Sequence, residues 1–178
     1  MPTVTIEKLL ERNKATSARH TPIPTLEDLA KAGSPGPKTM IVTCLDPRCV
    51  PEKFFDLDIL EVLVHRNAGG NIRHALRDII ILDGVFKLDE LAIVHHTDCG
   101  TLHFTEEGLH ADLKATVDKA YHAEIDAMVF GANTNIEESV RGDLEWVRAS
   151  PFIRDHLKHG TQGFVFDIKT GKVDKVDY

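Results

Sequence analysis

Short runs of apolar residues alternate along this chain with longer segments in which apolar residues recur every three or four positions. The short runs are typical of buried parallel strands, which are apolar on both faces. The longer segments are typical of helices that bury one face. Strands are predicted at residues 38–44, 60–65 and 91–96, and long helices at 72–86, 106–123 and 135–149. The alternation predicts an α/β fold with a mostly parallel central β-sheet flanked by helices.

The two ends of the chain depart from this alternation. Helices predicted at 6–18 and 26–32 precede a loop rich in glycine and proline, so residues 1–37 are expected to form a helical arm. Residues 38–178 then form one domain. Near its end, segments 163–168 and 172–176 predict a hairpin that turns at Thr170 and Gly171. A brief helix is expected at 51–55, and segment 127–131 fits either a strand or a helix.

Composition and charge narrow the classes of function. The formal net charge of −7 argues against binding to nucleic acid or to an acidic membrane surface. No apolar stretch approaches the roughly 20 residues that span a bilayer. Glu7 and Glu11 lie where a targeting peptide would be apolar or basic, so a cytoplasmic location is expected. Three cysteines make no disulfide framework, and thiols in a reducing compartment are free, metal-bound or catalytic.

Metal-binding residue types follow two of the predicted strands. Cys44, Asp46 and Arg48 come after the first strand, and His96 and Cys99 lie at the end of the third. Carboxyl ends of parallel strands meet at one edge of the sheet, where such folds place their sites. Two thiolates and an imidazole form a zinc set that leaves a fourth position open for chemistry. The alternatives are ordinary buried cysteines, a noncatalytic zinc-binding protein and a thiol redox protein, although Cys44 and Cys49 do not form C-x-x-C.

These residues, in this order, resemble the β-class carbonic anhydrases. That family has C-x-D-x-R, then R-N-A-G, then H-x-x-C about fifty positions after the first cysteine. The matching segments here are 44–48, 66–69 and 96–99, and segment 136–140 and the C-terminal hairpin also look like the family. The resemblance runs from about residue 38 to the C-terminus.

The resemblance implies a zinc enzyme in which a zinc-bound hydroxide hydrates carbon dioxide to bicarbonate. Cys44, His96 and Cys99 would hold Zn²⁺, and Asp46 and Arg48 would be a catalytic pair. Asp46 would itself bind the metal in a closed state. Other residues in the matching segments or directly after them would line the substrate pocket or support the ligands: Asn67, Gly69, Gly70, Asp98 and Gly100. Arg66 is expected to anchor a loop, and Cys49 to take no part.

Two departures from the common pattern widen the choice of substrate. Pro47 stands where serine is usual, and Gly70 where many members have asparagine. Together with the short chain, they resemble the type D branch, which includes carbonyl sulfide hydrolases that make hydrogen sulfide and carbon dioxide. The resemblance also implies a homodimer or a dimer of dimers, with the arm of residues 1–37 wrapped over its neighbour. The partners expected are therefore a small-molecule substrate, water and a second copy of the chain.

Overall fold

A computed structural model describes residues 3–178, and the chain divides into two compact units, Met1–Pro35 and Gly36–Tyr178. The first unit contains helices α1 (Ile6–Ser17) and α2 (Leu26–Lys31). Thr25 and Asp28 form a capping box at the start of α2, and none of the residues of either helix is buried. The wrapping role expected for the arm stays a prediction.

The second unit is built on a five-stranded sheet in the order β2-β1-β3-β4-β5. The first four strands in this order are parallel, and β5 runs antiparallel to β4. This arrangement confirms the predicted α/β fold class. The strands are β1 (Thr39–Cys44), β2 (Leu63–Asn67), β3 (Glu90–His96), β4 (Thr161–Phe166) and β5 (Val173–Lys175).

Six helices flank the sheet. The two longest pack against one of its faces, and the larger apolar core lies between them and the strands. Their bounds are α3 (Pro51–Phe54), α4 (Ile72–Phe86), α5 (Glu106–Thr116), α6 (His122–Asp126), α7 (Ile136–Ala149) and α8 (Asp155–His159). Short 3₁₀ turns lie at 68–70, 100–102 and 119–121. Among the described residues, no helix is both long and apolar enough to cross a membrane.

Several predicted bounds were wrong, and local backbone conformation explains two of them. The second strand begins at Leu63 because Leu60 has a left-handed φ of 73°, which a strand does not accommodate. The helix predicted over 106–123 ends at Thr116, because the β-branched Val117 is extended. Segment 127–131 is neither strand nor helix but irregular, and α8 was not predicted.

The alternation of β3 divides its side chains between two cores. Leu91 and Ile93 pack with Met40, α4 and α7 in the larger core, and His95 lies on the same face. Val94 packs with Cys44 and Cys99 in a smaller core on the opposite face, which His96 shares. The chemistry-bearing residues therefore lie on the face of the sheet away from α4 and α7.

An ion pair joins α4 to the segment before α8. Arg154 donates from Nε and Nη2 to the two carboxylate oxygens of Asp83, each at 2.6 Å, and from Nη2 to the carbonyl of Leu88 at 2.8 Å. The backbone N–H of Leu88 also donates to Asp83. These bonds hold the pKa of the nearly buried Asp83 below its usual value, with the Arg154 bond as the largest cause.

Candidate active site

Three metal-binding side chains meet at the carboxyl ends of two neighbouring strands. Cys44 is the last residue of β1, His96 is the last residue of β3, and Cys99 follows three positions later. The sulfur atoms of the two cysteines are 3.9 Å apart, and the three possible ligand atoms all lie within 4.8 Å of one another. All three side chains are buried. The structure thus brings together the three residues predicted to bind zinc, in a cluster that could hold a metal ion.

The orientation of His96 fits a metal ligand. Its Nδ1 donates to the carbonyl of Thr97 at 2.9 Å, so the lone pair of the neutral ring lies on Nε2. That Nε2 atom is buried and has no hydrogen-bond partner among the described residues. A buried nitrogen without a partner costs free energy that a metal ion would recover.

The two thiols have divergent acidities because they share one hydrogen bond. That bond, opposed by burial, holds the pKa of Cys99 well below its usual range, and the Thr101 hydroxyl supports the thiolate from 3.2 Å. The same bond, together with burial, raises the pKa of Cys44. Burial disfavours the charged imidazole of His96, but the Cys99 sulfur outweighs it and raises the pKa of His96. The cluster attracts positive charge, and its donor chemistry of two sulfurs and one nitrogen is one that zinc prefers.

Asp46 and Arg48 form a close ion pair beside the cluster. Arg48 donates from Nη2 to Oδ2 of Asp46 at 2.7 Å and from Nε to Oδ1 at 3.0 Å, a bidentate geometry. The hydrogen bonds from the Arg48 side chain are the main reason that the pKa of Asp46 is lowered to about 2. Asp46 in turn raises the pKa of Arg48. Oδ2 of Asp46 lies 4.0 Å from Nε2 of His96. The carboxylate is therefore ionised and lies at the edge of the donor cluster.

Arg66 fixes the main chain of the same loop. Its Nη2 donates to the carbonyls of Asp46 (2.8 Å) and Cys49 (2.7 Å), and its Nε donates to the carbonyl of Cys44 (3.1 Å). These contacts match the loop-anchoring role expected from the sequence. Three carbonyls of an irregular loop thereby receive charge-assisted hydrogen bonds.

Glycines 69 and 70 allow the chain to pass close to the cluster. Both have left-handed φ angles, 74° and 71°. A Cβ on Gly70 would lie 3.0 Å from the backbone of Thr43, and one on Gly69 would lie 2.8 Å from Thr101. Gly100 faces no such restriction. The pattern therefore requires glycine at two of the three positions, for reasons of backbone conformation and space.

An apolar cavity of about 350 Å³ opens beside the two cysteines and Asp46. Leu45, Pro47, Ala68 and Phe104 contribute apolar surface to its wall. The wall presents few polar groups, so the cavity suits a small apolar substrate. Such a substrate would lie next to the ionised carboxylate of Asp46.

The profile of a protein family described as carbonic anhydrase matches residues 39–173. The chain belongs to the β-carbonic anhydrase family. A curated relative, β-carbonic anhydrase 1 of Mycobacterium tuberculosis, is 28% identical over 145 residues, which cover 80% of this chain and 83% of the relative. The crystal structure of carbonic anhydrase from Streptococcus mutans has a TM-score of 0.80 and 28% identity, covering 99% of this chain and 100% of that one. A carbon disulfide hydrolase of Acidianus is 25% identical, over 76% of this chain and 75% of its own length.

Other residues considered from the sequence lie outside the cluster. Cys49 is buried against Thr43, with its sulfur 3.2 Å from the hydroxyl. Asn67 donates from Nδ2 to the carbonyl of Asn71 at 2.9 Å and so supports the turn that leads into α4. His95 contacts the hydroxyl of Ser139 at 2.7 Å on the opposite face of the sheet.

Sequence reasoning missed two contacts of this candidate site. The Thr101 hydroxyl donates to the Cys99 sulfur. The sequence indicates this contact only by placing a hydroxyl residue two positions after a predicted ligand. Asp98 was expected to line the pocket or support a ligand, but its observed partner is Arg48, at 2.7 Å from Nη1. No motif indicated that pairing.

Proposed function

We propose that this protein is a zinc enzyme that hydrates carbon dioxide to bicarbonate, with Zn²⁺ held by Cys44, His96 and Cys99. The observation that carries the proposal is the buried Cys₂His cluster next to an ionised carboxylate, in which His96 Nε2 has no hydrogen-bond partner within residues 3–178. Membership of the β-carbonic anhydrase family supports it. Bound zinc would lower the pKa of a coordinated water from about 16 to about 7, which supplies a nucleophile at neutral pH.

The protein's own groups would position the reactants. Asp46 stays ionised across the neutral range and could accept a hydrogen bond from the attacking water, which would aim a lone pair at the substrate carbon. Arg48 fixes the direction of that carboxylate by its bidentate contact. The apolar wall of the cavity would hold the substrate and exclude competing water.

The experiment combines metal analysis with turnover. Freshly purified protein should contain about one zinc per chain, and stopped-flow measurement with a pH indicator should detect carbon dioxide hydration. Cys44→Ser should lose both zinc and activity, and Asp46→Asn should keep zinc and lose activity. Cys49→Ser is the matched control, because this cysteine is buried nearby but lies outside the cluster. Unchanged hydration by Cys44→Ser would refute the assigned site, and bound zinc without turnover would indicate a noncatalytic zinc-binding protein.

Hydrolysis of carbonyl sulfide is the second candidate, and we extend it to carbon disulfide. The apolar cavity suits these molecules as it suits carbon dioxide, because all three are linear and less polar than water. The observation that favours this candidate is that curated relatives are named carbon disulfide hydrolase. Water and carbonyl sulfide would give carbon dioxide and hydrogen sulfide. Hydrogen sulfide release and carbon dioxide hydration measured on one preparation would decide between the substrates by their kcat/KM values.

We also propose a homodimer or a dimer of dimers in the cytoplasm. The arm supports dimerisation, because Ile6, Leu9 and Leu10 of α1 are all more than half exposed and need an apolar surface to cover them. The unlinked cysteines support a reducing compartment. Light scattering would test the assembly, and cell fractionation the location.

A further inference from the structure

Arg48 joins the loop after β1 to the loop after β3, next to the candidate metal ligands. It contacts Asp46 in the loop after β1 through Nε and Nη2. In the loop after β3 it contacts Asp98, with Nη1 at 2.7 Å from the carboxylate and Nη2 at 2.9 Å from the backbone carbonyl. One planar guanidinium thus bridges two acids that lie 52 positions apart along the chain, at 46 and 98.

Asp98 occupies a special place in this bridge. It lies between His96 and Cys99, and its backbone is left-handed, with φ at 55°. Asp and Asn tolerate this conformation better than most residues with a side chain. Its carboxylate is mostly exposed, and His103 also comes near, with Nε2 at 3.8 Å. The side chain is therefore directed at Arg48 and buries little apolar surface.

We propose that Asp98 is a positioning residue that controls whether Asp46 stays off the metal. This inference rests on the proposed zinc site. Asp98 anchors Arg48 to the loop of His96 and Cys99, and the anchored Arg48 holds the Asp46 carboxylate in its ion pair. The fourth metal position then stays open for substrate chemistry.

The geometry around Asp46 gives the reason that an anchor is needed. Its Oδ2 lies only 4.0 Å from Nε2 of His96, so a small rotation would bring the carboxylate into the donor cluster. Carboxylate oxygen is itself a good zinc ligand. The Arg48 side chain is about half exposed, so solvent screens part of its attraction to Asp46. Arg48 also donates two hydrogen bonds to Asp98, which fix the other end of the guanidinium. Arg48 therefore cannot follow the Asp46 carboxylate towards the metal, and the ion pair keeps that carboxylate away from it.

Two substitutions separate the side chain of Asp98 from its backbone. Asp98→Gly keeps the left-handed conformation and removes the contact to Nη1. Asp98→Asn keeps the conformation and a neutral acceptor, so it removes mainly the charge. His103→Gln is the matched control, because it removes the other neighbour of the Asp98 carboxylate. Thermal unfolding of each variant checks that the fold is retained.

The readout is the visible spectrum of the Co²⁺-substituted protein, which reports the ligands without any turnover. In the wild type, added thiocyanate should change the spectrum, because the fourth position is open. In Asp98→Gly the spectrum should no longer respond, and carbon dioxide hydration should fall by about 10- to 100-fold. Asp98→Asn should give a smaller loss of both. Replacing Asp46 by Asn in the Asp98→Gly background should restore the response to thiocyanate, because the competing carboxylate is gone.

The possible results separate this inference from the proposed function. A thiocyanate response in Asp98→Gly equal to that of the wild type would overturn the positioning role, whatever the activity. A blocked response that persists without the Asp46 carboxylate would also overturn it. A wild type that binds Co²⁺ but turns over neither carbon dioxide nor carbonyl sulfide would refute the proposed function and leave the spectral test of Asp98 intact. A wild type that binds neither Zn²⁺ nor Co²⁺ would overturn both.

Discussion

Replacement of Asp83 by asparagine tests the ion pair that joins α4 to the segment before α8. In the wild type, both carboxylate oxygens accept from Arg154 at 2.6 Å, and Oδ1 also accepts from the backbone of Leu88. Asparagine offers one oxygen, and its NH₂ group would face a guanidinium donor. One charge-assisted hydrogen bond is therefore lost and the other weakened.

The magnitude follows from the burial of the two partners. A hydrogen bond to a charged group contributes about 1.5–3 kcal/mol to the free energy of unfolding. The Asp83 side chain is 11% exposed but that of Arg154 is 39% exposed, so solvent screens part of the interaction. We expect Asp83→Asn to lower the free energy of unfolding by about 2 kcal/mol, which corresponds to a fall in Tm of about 4–8 °C for a chain of this length.

The pH dependence of this loss is a second, independent readout. The Arg154 bonds hold the pKa of Asp83 below its unfolded value of about 3.9. The stabilisation is therefore complete above the unfolded pKa and is lost as the pH falls through the folded pKa. The difference in Tm between wild type and Asp83→Asn should be constant from about pH 5 to 7 and shrink below about pH 4.

The assay is thermal unfolding followed by circular dichroism at fixed protein and zinc concentrations. Asp155→Asn is the control, because the Asp155 side chain lies nearby, is 87% exposed and, in the part of the chain that the structure describes, pairs only with Lys158 of its own helix. It should leave Tm unchanged to within about 1 °C. A fall in Tm of less than about 2 °C for Asp83→Asn at pH 7, or a difference that widens towards low pH, would refute this account of the pair.

Three further predictions concern the site and the arm. Arg66→Met should lower kcat/KM by about tenfold or more, and Arg66→Lys should recover part of it because it restores one donor; equal values for the two variants would contradict the anchoring role. Thr101→Val keeps the shape but removes the donor to Cys99, so it should raise the pKa of that thiol in the metal-free protein, measured by thiolate absorbance; an unchanged pKa would show that the bond contributes nothing. Ile6→Asp combined with Leu10→Asp should shift the light-scattering mass towards the monomer, whereas exposed Lys14→Asp should not.

The parts of the fold and site that follow from the sequence are those governed by local pattern. The apolar runs before Cys44 and His96 predict buried strands, and adjacent parallel strands must end at one edge of the sheet. The two strand ends that carry the candidate ligands are therefore neighbours, and the spacing from His96 to Cys99 keeps both at the end of β3. The local conformation at Leu60 and Val117 could not be predicted in this way, since both are apolar residues in otherwise regular patterns.

Contacts between side chains far apart in the sequence carry no such local signal. Arg154 lies 71 positions from Asp83, and Asp98 lies 50 positions from Arg48. Charged residues are common on every surface, so their pairing depends on the register of strands and on loop conformation. At Asp98 the left-handed backbone determines the direction of the side chain, and a single sequence does not indicate this conformation.

Two arginines together explain how a loop without regular structure can hold candidate metal ligands in place. Arg66 binds three carbonyls and so fixes the main chain from Cys44 to Cys49. Arg48 binds the Asp46 side chain of that loop and ties it to Asp98 in the other. The Arg66 contacts fix the main chain that carries the Cys44 sulfur. The Arg48 contacts fix the distance between the two loops and the direction of the Asp46 carboxylate. Ligands fixed in this way need little rearrangement when a metal binds, which is the condition for a preorganised site.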